Sequence, residues 1–231
     1  MDQSTIQYLE KVIFTTSISS EKSKRCVVAF ARRNAISYRH GTEHSKFELH
    51  DELVLNNVKN PNIIIRVSVV FISDRNDYIV FQTIDDPFPD IPIGYEIIYR
   101  GQDYRSLGLD FNRGLVWKNG IISSAGAGYI NGSSPCEKGD SGSAVFDLTG
   151  RILGIVVDKK SFKFSNLNIS KGTVDSAIET PKVNCTEIAD HFNITIIFPI
   201  HTVLSNLDVP EETLYEPVEK KPNFAAEEGT I

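Results

Sequence analysis

Cysteine is scarce in this chain: its 231 residues hold three, Cys26, Cys136 and Cys185. A small, odd number does not make a disulfide framework. Long apolar runs are also missing. No stretch approaches the roughly 18 consecutive apolar residues that a membrane span needs. The opening Met1-Asp2-Gln3-Ser4-Thr5 lacks the basic stretch and apolar core of a secretory signal. The expectation is therefore a cytoplasmic or otherwise intracellular protein with no membrane span. The four Asn-x-Ser/Thr sequons, at Asn131, Asn168, Asn184 and Asn193, then read as chance matches. Positive charge is in deficit, with 24 Lys and Arg against 30 Asp and Glu. A net charge of −6 argues against a general nucleic-acid binder. No residue cluster calls for a metal or a cofactor.

What is present suits a globular fold. Hydrophobic residues make up 41% and charged residues 23%, which separates the chain from disordered sequences. The length can bury a sizeable core and suits one all-β unit. The apolar residues come in short β-branched runs separated by turn residues. Examples are Cys26–Phe30, Ala35–Tyr38, Phe47–Leu55, Ile63–Ile72, Asp77–Phe81, Tyr95–Tyr99, Ile152–Val157 and Ile194–Ile200. Gly114–Ser123 reads as a hairpin turning at Asn119-Gly120. Trp117 within it reads as core or pocket wall.

Residues 4–18 carry a helical stripe, Ile6, Leu9, Val12 and Ile13, with Ser4 or Thr5 as cap. Residues 201–207 read as a terminal helix. Asp85–Pro92 holds Pro87, Pro89 and Pro92, which exclude a central strand and mark a boundary. The organisation expected is a leader with a helix over 1–24, a first unit over 25–90 and a second over 91–207. Residues 161–190 read as a polar surface excursion, and 208–231 as a disordered acidic tail.

One stretch carries chemistry. Gly139-Asp140-Ser141-Gly142-Ser143 sits directly before a buried hairpin, Ala144–Phe146 and Ile152–Val157. An acyl-transfer nucleophile needs an exposed hydroxyl on a rigid turn, with backbone N–H groups aimed at the developing oxyanion. Gly139 lets the backbone approach a carbonyl. Its N–H and that of Ser141 would form the oxyanion hole. Asp140 would hold the loop in shape. The plainer alternative is a polar hairpin loop, since Gly, Asp and Ser dominate turns.

This stretch resembles the nucleophile loop of trypsin-like (chymotrypsin-fold) serine proteases, including the non-zymogen trypsin-like peptidase domains. The resemblance recurs at Ile36-Ser37-Tyr38-Arg39-His40, laid out like the segment that bears the family's histidine. Tyr38 and Arg39 depart from the small residues preferred there. It recurs again at Asp77-Tyr78-Ile79-Val80-Phe81, an acid opening a strand. His44 and His50 remain rivals for the histidine, and Asp74 for the acid. The resemblance covers about residues 25–207 and implies two six-stranded antiparallel β-barrels with short N- and C-terminal helices.

It further implies a serine endopeptidase with a His40, Asp77 and Ser141 triad, an acyl-enzyme intermediate and a polypeptide substrate. Ser134, Pro135, Cys136, Glu137 and Lys138, with Val157 and Asp158, would line the substrate pocket. No activating cleavage is expected, because no Arg or Lys precedes an Ile-Val-Gly-Gly-like start. A Cys136–Cys185 bridge is left open beside buried thiols. A protease-like binding module that does not hydrolyse is the competing expectation, favoured by Tyr38-Arg39 and the charges at 158–160. An α/β-hydrolase esterase fits poorly, since a strand follows the serine and Ser143 stands where the second glycine of Gly-x-Ser-x-Gly belongs.

Overall fold

The computed structural model describes residues 1–16, 25–41, 44–110, 114–126, 129–137, 139–160 and 194–207. The expected polar excursion, the acidic tail, Lys138 and Cys185 lie outside the described residues.

Helix α1 (Gln3–Leu9) is capped by neither Ser4 nor Thr5 but by Asp2, whose Oδ1 accepts the Thr5 N–H at 2.7 Å. The helix does not run to residue 18. One 3₁₀ turn, Glu10–Val12, leads into strand β1 (Ile13–Thr15). Ile13 and Phe14 are fully buried there. Sheet pairing of this β-branched and aromatic pair overrides the helical stripe. The first barrel therefore begins at residue 13, inside what reads as leader.

That barrel also contains β2 (Cys26–Ala31), β3 (Asn34–Tyr38), β4 (Glu52–Asn57), β5 (Ile64–Ser73) and β6 (Tyr78–Thr83). It closes in the order β1-β2-β3-β6-β5-β4, every pair antiparallel. The second barrel contains β7 (Asp103–Leu109), β8 (Leu115–Gly126), β9 (Tyr129–Gly132), β10 (Ala144–Phe146), β11 (Ile152–Lys160) and β12 (Ile194–Pro199). It closes in the order β10-β11-β12-β9-β8-β7. Helix α2 (Ile200–Leu207) follows directly.

Three expected elements differ. The strand expected over 47–55 starts only at Glu52, because a 3₁₀ turn at His44–Lys46 and a left-handed His50 (φ 73°) precede it. Tyr95–Tyr99 makes no strand, only an isolated bridge from Tyr95 to Ile152. Asn119-Gly120 does not turn: β8 runs straight through it, paired with Tyr104 and Arg105 of β7. Glycine is needed there for space. A Cβ at Gly120 would stand 2.4 Å from the Tyr104 ring, and one at Gly132 would stand 2.2 Å from its hydroxyl.

The first barrel is filled by Phe14, Val27, Ala29, Leu55 and Phe81, and the Pro-rich linker plugs it with Phe88 and Ile91. A second core lies between the barrels. Val28, Ile36 and Tyr78 meet Leu107, Phe146 and Phe198, and Tyr78 stacks on Phe198 at 4.7 Å. Each large apolar side chain buried this way contributes about 1.5–3 kcal/mol. Helix α1 bridges the same seam. Leu9 enters the core, and just beyond the helix the Glu10 carboxylate takes Lys59 Nζ at 2.5 Å and Trp117 Nε1 at 3.4 Å. Trp117 thus lies against core, tilted 6.0 Å from Phe146. No helix among the described residues is long and apolar enough to cross a membrane.

Candidate active site

Register brings the first two groups together. In the β3–β6 pair Tyr38 stands opposite Tyr78. The residues just beyond those ends, Arg39-His40 and Asp77, are therefore neighbours although 37 positions separate the imidazole from the carboxylate. The Arg39 N–H donates to the Asp77 carbonyl at 3.0 Å. Asp77 adopts a left-handed conformation, φ 58°, which Asp tolerates better than most side chains. In that conformation both carboxylate oxygens face the same segment. Oδ1 accepts the His40 backbone N–H at 2.7 Å, and Oδ2 lies 2.5 Å from His40 Nδ1. The bond to Oδ2 puts the proton on Nδ1 and leaves Nε2 as acceptor. That nitrogen lies 3.2 Å from Ser141 Oγ.

The other expected candidates go elsewhere. Asp74 pairs with the Arg39 guanidinium at 3.0 Å. His50 is exposed, and its N–H is tied to the Val69 carbonyl. His44 is buried behind the site, with Nδ1 2.9 Å from the Tyr38 carbonyl and Nε2 3.1 Å from Thr16 Oγ1. Burial holds its pKa down to about 4. The Tyr38 ring packs between the two imidazoles, 4.7 Å from His40 and 5.1 Å from His44.

The loop from Gly139 to Ser143 touches the first barrel at Gly142. Its φ is 86°, and a Cβ there would stand 2.4 Å from the Cys26 carbonyl and 2.9 Å from the Tyr38 ring. Its N–H donates to the Val156 carbonyl at 2.7 Å. Only glycine permits that approach. Cys26 lines this seam as a buried thiol pushed up to about 12 by desolvation.

Asp140 knots the loop. Its N–H reaches the Glu137 carbonyl, its carbonyl accepts the Ser143 N–H, and its Oδ2 accepts the Glu137 N–H at 2.5 Å. The same oxygen takes Lys118 Nζ from β8 at 2.6 Å, with both side chains mostly buried. Gly139 has φ 109° and nothing within 4 Å of where a Cβ would sit. Among the described residues, neither its N–H nor that of Ser141 has a hydrogen-bond acceptor.

The residues expected to line the pocket divide. Ser134 is buried in a hydroxyl network: the Tyr104 hydroxyl donates to its Oγ at 2.7 Å, and Thr195 Oγ1 lies 2.9 Å away. Pro135 and Glu137 are exposed and Cys136 is buried. A tight crevice lies beneath the loop, bordered by Ser134, Pro135, Cys136, Val156 and Thr195. Val157 does not border it. A register shift between Val156 and Asp158 turns the Val157 side chain into the inter-barrel core. The Asp158 backbone pairs with Ile196 in β12.

Sequence reasoning missed Lys118, Gly108 and Thr195. A Cβ at Gly108 would fall 1.9 Å from Ser143 Oγ, so a glycine on β7 makes room for the serine beside the loop. The glycine pattern gave a faint signal. Lys118 is one of 24 Lys and Arg, and no signal marks it.

Two closed antiparallel six-stranded barrels with the loop and the imidazole meeting between them define the chymotrypsin-like fold class. A family model described as "Trypsin-like peptidase domain" matches residues 27–155, more than half of the chain. The chain belongs to that trypsin-like peptidase family. No curated protein matches it.

Solved structures share the fold. The MamO protease domain from Magnetospirillum magneticum, in its apo form, has TM-score 0.58 and 11% identity, over 87% of this chain and 98% of that one. A serine endoprotease from Yersinia pestis has TM-score 0.62 and 14% identity, over 88% and 64%. Rv3671c from M. tuberculosis H37Rv, an inactive form with serine replaced by alanine, has TM-score 0.56 and 13% identity, over 88% and 90%.

Proposed function

We propose that this chain is a serine endopeptidase acting on polypeptides through Ser141, His40 and Asp77. The observation that carries the reading is the unbroken run of contacts, 3.2 Å from Ser141 Oγ to His40 Nε2 and 2.5 Å from His40 Nδ1 to Asp77 Oδ2. Ser141 Oγ attacks the peptide carbonyl carbon while His40 Nε2 takes its proton. Asp77 stabilises the imidazolium. The N–H groups of Gly139 and Ser141 bind the oxyanion. His40 then protonates the leaving amine as the C–N bond breaks, leaving an acyl-enzyme. Water, deprotonated by His40, hydrolyses the ester and restores the hydroxyl. Ser134, Pro135, Cys136 and Glu137 flank the side chain before the scissile bond. Lys118 already neutralises Asp140, so the loop is competent without prior cleavage.

The binding-module alternative draws on Tyr38, Arg39 and the charges at 158–160. The Tyr38 ring and the Arg39 guanidinium pack onto the triad-bearing segments, which favours hydrolysis. The test is hydrolysis of an unfolded polypeptide and of a peptide library. Wild type should cleave both, and Ser141→Ala or His40→Ala should lower kcat about 10⁶-fold. Partner capture equal in wild type and Ser141→Ala, with no cleavage by either, would establish the binding module instead.

A further inference from the structure

Arg39 stands between the β3 strand end and His40, at one of the two positions where this chain departs from the small residues of similar proteases. Its side chain is largely buried, 13% exposed. Its Nε, one terminal guanidinium nitrogen and its backbone N–H are each aimed at one of two segments. On one side, Nη1 donates to the His44 carbonyl and to the Phe47 carbonyl, the latter at 2.9 Å. These carbonyls belong to the segment that follows His40. On the other side, Nε donates to Asp74 Oδ1 at 3.0 Å, and the Arg39 backbone N–H donates to the Asp77 carbonyl at 3.0 Å. Asp74 and Asp77 are the two ends of the turn between β5 and β6. One residue thus ties the histidine segment to the aspartate turn, on both flanks of the bond from His40 Nδ1 to Asp77 Oδ2.

The tie has mechanical consequences. Asp77 is held in a left-handed conformation, which persists only where the surrounding structure enforces it. His40 side-chain exposure is 47%, so packing alone does not fix the ring. A planar, multiply donating guanidinium suits such a double anchor, and an ammonium does not.

We propose that Arg39 is a positioning residue: it fixes the His40 imidazole against Asp77 by clamping the segment after the histidine to the turn that carries the aspartate. The inference rests on the triad reading above. Arg39→Met removes every side-chain bond. Arg39→Lys keeps one contact to Asp74 but cannot also span two carbonyls. Asp74→Asn loosens only the outer anchor.

The test measures kcat and KM per active site, with sites counted by titration with a fluorophosphonate. It is paired with proton NMR of the deshielded His40 Nδ1 proton. Arg39→Met should lower kcat per titrated site about 100-fold, move KM less than threefold, and abolish or broaden the deshielded signal. Arg39→Lys should recover only part of kcat, Asp74→Asn should lose about threefold, and millimolar methylguanidinium should partly restore Arg39→Ala. A purely structural role predicts fewer titratable sites with unchanged kcat per site, and that result overturns the proposal. An unchanged Nδ1 signal in Arg39→Met overturns it too. Should Arg39→Met fail to fold, Asp74→Asn decides: wild-type kcat with an unshifted signal counts against the clamp. Wild type that shows the signal but cleaves nothing defeats the endopeptidase reading, while the NMR comparison still decides the role of Arg39.

Discussion

Lowering the pH should destabilise this fold through one residue, His44. The imidazole is fully enclosed, with Nδ1–H donated to the Tyr38 carbonyl and Nε2 accepting from the Thr16 hydroxyl. Burial, aided by the cations Arg25 and Arg39, holds its pKa down to about 4. An unfolded histidine titrates near 6.5. Below about 6.5 the unfolded chain therefore binds a proton that the folded chain refuses. Stability is lost as pH falls from about 6.5 to about 4, and no more is lost below that. At 1.36 kcal/mol per pKa unit the full effect is ~3 kcal/mol. Between pH 7.5 and 4.5 the share expressed is about 2–3 kcal/mol.

The assay is urea unfolding of wild type and His44→Gln at both pH values. Glutamine keeps a donor for the Tyr38 carbonyl but does not titrate. Carboxylates elsewhere contribute alike to both proteins, so the difference of the two pH dependences isolates His44. It should be about 2–3 kcal/mol, with wild type the more acid-sensitive. Equal pH dependence in the two proteins would refute a neutral, buried His44.

Three further outcomes follow from close contacts. Gly108→Ala should destabilise by about 2 kcal/mol or more through collision with Ser143 Oγ, and adding Ser143→Gly should recover most of that, measured as a double-mutant cycle in urea. Lys118→Met should lower kcat about 100-fold by releasing the loop that presents the Gly139 and Ser141 N–H groups; Lys118→Arg should lose far less, and an undisturbed kcat in Lys118→Met would count against a tethered Asp140. Gly142→Ala meets both a carbonyl at 2.4 Å and a φ of 86°, so thermal unfolding should show a loss of several degrees together with lost activity.

The reach of the sequence has a physical explanation. Strands buried on both faces, such as β2 and β6, announce themselves as continuous β-branched runs, and the loop around Ser141 is spelled by local turn chemistry. His40 and Asp77, which the family resemblance pointed to, lie side by side because each stands just beyond the end of a paired strand. The elements that misled were those decided by distant partners. Asn119-Gly120 has the look of a turn, yet glycine stands there for the Tyr104 ring. Ile13 continues a helical stripe, yet its strand pairs with β2 and β4. Val157 follows Val156, which borders the crevice, yet a register shift turns it into the core. Lys118 and Arg39 are surface-type residues by composition, and only tertiary contact gives each a specific anion or carbonyl to hold.

The most direct measurement is to treat folded protein with a fluorophosphonate and locate the adduct by mass spectrometry. One adduct on Ser141 is expected, with none on the neighbouring Ser143, and labelling slowed at least a hundredfold by His40→Ala. Well-folded protein that takes up no label, or Ser141→Ala labelled as fast as wild type, would contradict a nucleophilic Ser141.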